Sequence, residues 1–98
     1  MIMRMILVNV PEEKAGEAER LWKNECAPLM IKHAGCISEQ LLRGRENSGE
    51  FVSLSTWEDQ ASIDRYRAGD AHKTIQQRTR CLMDGTKVET KTYDIVQW

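Results

Sequence analysis

A single α+β domain built on a four-stranded antiparallel sheet is what this sequence predicts, and three observations predict it. The chain has 98 residues, which suits one hydrophobic core and is too short for two. Runs rich in β-branched and aliphatic residues alternate with amphipathic helical stretches in the order βαββαβ. The middle two strands are joined by Glu46-Asn47-Ser48-Gly49-Glu50, which is turn chemistry, whereas the other connections are helical.

The first strand spans residues 3–10, where Ile6, Leu7 and Val8 carry the β signal and Pro11, having no N–H, ends the ladder. A helix begins at Pro11, with Glu12 and Glu13 at the positive end of its dipole. Its inward face is Ala15, Ala18, Leu21, Trp22, Cys26, Leu29 and Met30, at intervals of three and four. Pro28 removes a donor and crowds the preceding turn, so a kink or loosening is expected near Cys26.

His33-Ala34-Gly35 turns the chain into a second strand, 36–45, and the hairpin leads to a third, 51–57. In that third strand Phe51, Ser53, Ser55 and Trp57 alternate with Val52, Leu54 and Thr56. Both faces are semi-apolar, so the face without helices is expected to meet a second subunit. Asp59 caps the next helix, Gly69-Asp70 interrupts it, and a further helix capped by Asp70 buries Ala71, Ile75, Thr79 and Leu82 before Asp84-Gly85 ends it. Residues 87–98 form the last strand. This order, with helices on one face of the sheet, is the split-βαβ or ferredoxin-like plan, over one domain, 1–98.

Composition narrows the function. Hydrophobic residues make up 41% and charged residues 30%, as in a folded globular protein. Fourteen basic and fifteen acidic residues leave a net charge of −1, so neither nucleic acid nor an anionic membrane is an expected partner. The apolar stretch after Arg4 is interrupted by Asn9 and ended by Pro11, too short for a secretory core or a membrane span; a cytoplasmic location is expected. Cys26, Cys36 and Cys81 are odd in number and lack the spacing of a zinc site, so they read as reduced, partly buried thiols.

The stretch 51–72 carries the candidate chemistry. Trp57 at a strand end, Tyr66 on the following helix and His72 beyond the glycine break are expected near one end of the sheet, as a wall of a small-molecule pocket.

Taken in order, these residues resemble the antibiotic biosynthesis monooxygenase domain, a dimeric α/β-barrel version of the ferredoxin-like plan. The resemblance runs over nearly the whole chain. It is carried by Trp22 and Pro28-Leu29-Met30, by His33-Ala34-Gly35-Cys36 where the family usually has Pro-Gly-Phe, and by Leu41-Leu42-Arg43. It is strongest in Trp57-Glu58-Asp59-Gln60-Ala61 and in His72 of Ala-Gly-Asp-Ala-His, where relatives often carry Ser-x-x-His.

The resemblance implies a homodimer that binds a small aromatic molecule and oxygen. The leading function is a cofactor-independent monooxygenase acting on a phenol, quinol or polyketide-like molecule. The alternatives are a non-catalytic dimeric small-molecule-binding or accessory module and, less favoured, a heme-binding or heme-degrading protein. The heme-degrading branch uses an asparagine on strand one, a tryptophan in helix two and a histidine in helix three. Counted from Trp57, the last two fall on Tyr66 and Gln76, and the first falls near Ile6, with Asn9 three residues away. Gln76 is a poor axial ligand, and His72 lies one turn earlier.

For an oxygenase, His72 is the expected base and Tyr66 its catalytic neighbour, with a helix-capping histidine and a core tyrosine as the plainer readings. Trp57 could stack on the substrate or close a core. Arg43 could meet a substrate oxygen or solvent. Asn9 could bond a substrate carbonyl or serve the turn. Trp22, Trp98 and the methionines are expected to fill core or interface, and His33 is given no chemistry.

Overall fold

The computed structural model describes residues 1–83 and 86–97. Four strands, β1 (Ile2–Asn9), β2 (Cys36–Arg43), β3 (Glu50–Trp57) and β4 (Val88–Asp94), form one antiparallel sheet in the order β2-β3-β1-β4. This is the ferredoxin-like arrangement that the βαββαβ order predicts. Between β1 and β2 lie a 3₁₀ turn (Glu12–Lys14), α1 (Ala15–Leu21), a π turn (Trp22–Cys26) and α2 (Ala27–Ile31). Between β3 and β4 lie α3 (Gln60–Ala68) and α4 (Asp70–Met83).

The loosening expected from Pro28 is the π turn. Ala27 N–H donates to the Trp22 carbonyl, five residues back instead of four, which relieves the crowding a proline ring imposes on the turn before it. The wider turn keeps both Cys26 and Met30 fully buried. The chain enters this run through a 3₁₀ turn, so the α-helical part starts at Ala15 and not at Pro11.

On β3 the two-residue alternation resolves as predicted: Phe51, Ser53, Ser55 and Trp57 are buried beneath the helices, while Val52, Leu54 and Thr56 are half-buried on the other face. The main core joins Trp57, Tyr66, Ile63, Met30, Cys26 and Ile75, and a second cluster joins Val10, Ala15 and Phe51. Asp59 caps α3, accepting from Ser62 N–H at 2.8 Å and from the Ser62 hydroxyl at 2.7 Å. These two donors hold its carboxyl below the usual range. Asp70 is the first residue inside α4, and the Gly69 carbonyl accepts from Lys73 N–H at 3.5 Å.

Gly35 has φ 90°, and a Cβ there would run into the Ser62 side chain, so this reversal admits only glycine without strain. The opposite sheet face carries Met3, Met5 and Leu7 from β1, Val52 and Leu54 from β3, Leu42 from β2 and Tyr93 from β4, and no described helix covers it. Leu42 is 45% and Tyr93 48% exposed. The predicted helix end at Asp84-Gly85, the burial of Trp98 and the environment of the Cys81 side chain lie outside the described residues. Of the other thiols, Cys26 is buried and Cys36 half-buried; burial raises both, Cys26 to about 11, which keeps them as thiols at neutral pH.

Candidate active site

A cleft of about 630 Å³ opens between the β1–β4 edge of the sheet and α4. Arg4 and Ile6 of β1 form its floor, Val88 and Thr90 of β4 one wall, and His72, Ile75, Gln76, Thr79 and Arg80 of α4 the other. Trp22, Tyr66 and Arg67 complete it. Its size is that of a site for a small organic molecule. A second, almost wholly apolar cavity of about 60 Å³ lies deeper under α1 and is too small for a ring system, but it shares Ile6, Trp22 and Thr79 with the cleft. The Trp22 indole therefore stands between the two spaces.

Tyr66 is the hub of the aromatic residues here. Its ring lies 5.2 Å from Trp57, 5.5 Å from His33 and 5.2 Å from His72, the two histidines meeting it edge-on. It is 1% exposed, and burial pushes its phenol well above the usual range, so it stays protonated and serves as a donor or a flat surface and not as a base. His72 is half-buried; burial first, then the charges of Arg4 and Arg67, hold it below its ordinary value, so the neutral imidazole prevails at pH 7. A neutral, base-competent histidine thus faces the cleft beside a protonated phenol.

The sequence-predicted site residues divide. His72 and Tyr66 come together on the cleft. Trp57 touches Tyr66 but is 0% exposed, and its indole N–H donates to Ser55 Oγ at 2.9 Å; it is a core residue and not part of the cleft wall. Arg43 lies exposed on β2, donating to the Ser48 carbonyl at 3.0 Å and pairing with Glu19 at 3.4 Å, away from the cleft. Asn9 is exposed and accepts from Asn47 Nδ2 at 3.3 Å, the turn role. His33, given no partner from sequence, packs on Tyr66 and Trp57 because the Gly35 turn folds the loop back onto α3.

Two residues with chemistry were not singled out from sequence. Arg4 lies in the middle of β1 on the helix side, 6% exposed. Glu39 on β2 accepts from Ser53 Oγ at 2.9 Å and from Trp22 Nε1 at 3.3 Å, and burial raises its carboxyl to about 7 despite these donors. Cross-strand pairing sets Thr92, Arg4, Ser55 and Glu39 in one row across the sheet. The signal was available as an arginine and a glutamate at inward-facing strand positions, where charges are rarely buried unless paired.

At the counted heme positions Tyr66 is a buried phenol and Gln76 offers an amide in place of a ligating nitrogen, sulfur or phenolate, while His72, one turn before Gln76, lines the same cleft. Among the described residues no group of three or more His, Cys, Asp or Glu could hold a metal ion, and no helix is long and apolar enough to cross a membrane.

The family model of antibiotic biosynthesis monooxygenases matches residues 1–78, from the first strand through most of α4. The chain belongs to the antibiotic biosynthesis monooxygenase family. The matched span contains His72 and Tyr66 and the whole of the sheet except β4. No curated protein matches the chain. Among solved structures, this family member is similar to a candidate antibiotic biosynthesis monooxygenase from Deinococcus radiodurans, with TM-score 0.86 and 13% identity over 100% of this chain and 95% of that one. It is similar also to a mutant of SnoaB, a cofactor-independent oxygenase from Streptomyces nogalater, with TM-score 0.84 and 18% identity over 99% and 94%. A candidate family member from Caulobacter crescentus gives TM-score 0.81 and 20% identity over 98% and 91%. At these identities the likeness is one of fold.

Proposed function

We propose that this protein is a cofactor-independent monooxygenase of an aromatic phenol or quinol, working as a cytoplasmic homodimer. The observation that carries the reading is the neutral His72 imidazole on a cleft of about 630 Å³, set edge-on to the protonated Tyr66. Family membership and the fold shared with a cofactor-independent oxygenase support it.

The chemistry asks for three things: a base, a stabilised anion and a largely apolar enclosure. His72 takes the proton of the bound phenol. The electron-rich anion then reduces oxygen directly and bonds to it at carbon, giving a peroxide on the ring. Loss of water converts a ring methylene or its enol tautomer to a carbonyl, so that one oxygen atom enters the product and the other leaves as water. The substrate supplies all four electrons, and the proton held on His72 returns to the departing oxygen. Tyr66 is suited to hold the developing anion through its O–H, since it does not ionise itself.

The experiment is oxygen consumption with a panel of naphthols, anthrones and hydroquinones, with product mass measured in labelled oxygen. Single-atom incorporation that depends on His72 is expected. No uptake above the blank with any member, by wild type or His72→Ala, would leave the protein as a binding module.

A further inference from the structure

We infer that the cleft recognises an aromatic molecule bearing a carboxylate, and that Arg4 is the residue that takes the carboxylate. The inference deepens the proposed function and rests on it for the identity of the reacting ring, but not for the binding itself.

Arg4 is buried at 6% exposure, and its Nη1 has no hydrogen-bond partner among the described residues. A buried guanidinium nitrogen left without an acceptor is costly, and arginine keeps its charge even where burial lowers its pKa, as it does here. The natural internal partner, Glu39, lies beyond Ser55 in the same row of the sheet. It makes no ion pair with Arg4; its Oε1 is held by Ser53 and Trp22, and its Oε2 is also unpartnered. Arg4 therefore lines the cleft with a guanidinium that no carboxylate of the protein pairs, its Nη1 closed off from solvent and without an acceptor among the described residues.

The rest of the wall agrees in sign. Arg67 and Arg80 line the cleft with Arg4 and the neutral His72, and no aspartate or glutamate among the described residues does, although the chain as a whole is slightly acidic. Between the arginines lie Trp22, Tyr66, Ile6 and Ile75, apolar surfaces that suit a planar ring. A planar carboxylate matches the guanidinium fork and can accept from whichever of its N–H groups reach the cleft. A neutral phenol fills the same walls but leaves Arg4 as it is.

The test is calorimetric binding of 2-naphthoate and of neutral 2-naphthol at pH 7.5 under nitrogen, so that no turnover is involved. Wild-type protein is expected to bind the naphthoate about tenfold more tightly or better, the ratio of a charge-assisted hydrogen bond. Arg4→Met should abolish the preference and Arg4→Lys should keep part of it. Thr90→Glu, on the exposed wall, should weaken the naphthoate about fivefold and spare the naphthol; it decides the matter if Arg4→Met does not fold. Equal affinities in the wild type, or a naphthoate preference unchanged by whichever of these variants fold, would overturn the inference. The two readings part cleanly: preference for the acid without oxygen uptake by hydroxynaphthoates keeps the carboxylate site and removes the oxygenase, while turnover of neutral anthrones without any preference does the reverse.

Discussion

The indole N–H of Trp22 donates to Glu39 Oε1 at 3.3 Å, which ties the partition between the two cavities to a carboxyl that burial raises to about 7. Because the folded value lies above the unfolded 4.5, the folded state binds the extra proton between them. This group's contribution to stability is then fully present below the unfolded value and is lost as pH rises through about 7. Melting temperatures of wild type and Glu39→Gln, measured from pH 4 to 9, should draw apart in that window, the wild type losing ground until about pH 7 and then running parallel. A constant difference across the whole range would refute the assignment.

His72 has the opposite sign. Its folded value is lowered by burial and by Arg4 and Arg67, so proton uptake is resisted and the neutral base persists to lower pH than in a free histidine. The proposed oxygenase should accordingly lose kcat/KM only on the acid side, below the ordinary histidine range. His72→Asn should lower kcat/KM about 10²-fold or more and remove the acid limb. An acid limb that persists in that variant belongs to another group.

Tyr66 serves the core and the cleft at once. Tyr66→Ala removes a fully buried ring from between Trp57 and two histidines and should cost about 3–5 kcal/mol, enough to lower the melting temperature by ten degrees or more. Tyr66→Phe keeps the ring and should leave melting nearly unchanged while reducing turnover about tenfold, through loss of one hydrogen bond to the anion. Unchanged turnover in Tyr66→Phe would reduce Tyr66 to a packing residue.

Gly35→Ala should destabilise by about 2 kcal/mol or more, from the positive φ and from collision with Ser62. Ser62 also donates to Asp59 and accepts from Arg65 at 3.1 Å, so it has little freedom to withdraw. Gly35→Ala/Ser62→Ala should recover part of the loss, and thermal melts of the two variants measure this.

The sheet face opposite the helices, with Leu42, Leu54 and Tyr93, is the surface on which the proposed homodimer would form. Leu54→Glu places a charge at its centre and should shift the mass measured by light scattering from dimer to monomer at micromolar concentration. A wild-type monomer under the same conditions would remove the dimer proposal.

Much of the fold was legible because each local signal agreed with its neighbours. The alternation in β3, the Asp59 cap, the Gly35 reversal and the loosening caused by Pro28 are properties of a few adjacent residues, and each recurs in the structure. Boundaries moved where backbone chemistry left room: the helix predicted from Pro11 begins with a 3₁₀ turn, and the last strand, predicted over 87–98, is Val88–Asp94. His72 and Tyr66 could be paired from sequence because they sit six positions apart on consecutive helices with one glycine break between them. Trp57, Arg43 and Asn9 could not be sorted in the same way: whether a residue at a strand end faces the core, solvent or a ligand depends on which segment packs over it.

What the sequence by itself determined is the plan, since period-two and period-3.6 patterns and the turn residues report local geometry directly. Only the tertiary structure decided the site. Arg4 and Glu39 are thirty-five positions apart and acquire meaning from the pairing of β1 and β2 with β3, which sets them in one row on either side of Ser55, burying Arg4 and closing Glu39 Oε2 off from solvent. That pairing is non-local, and the cost of an unpartnered buried charge exists only once the sheet and helices have excluded water from it.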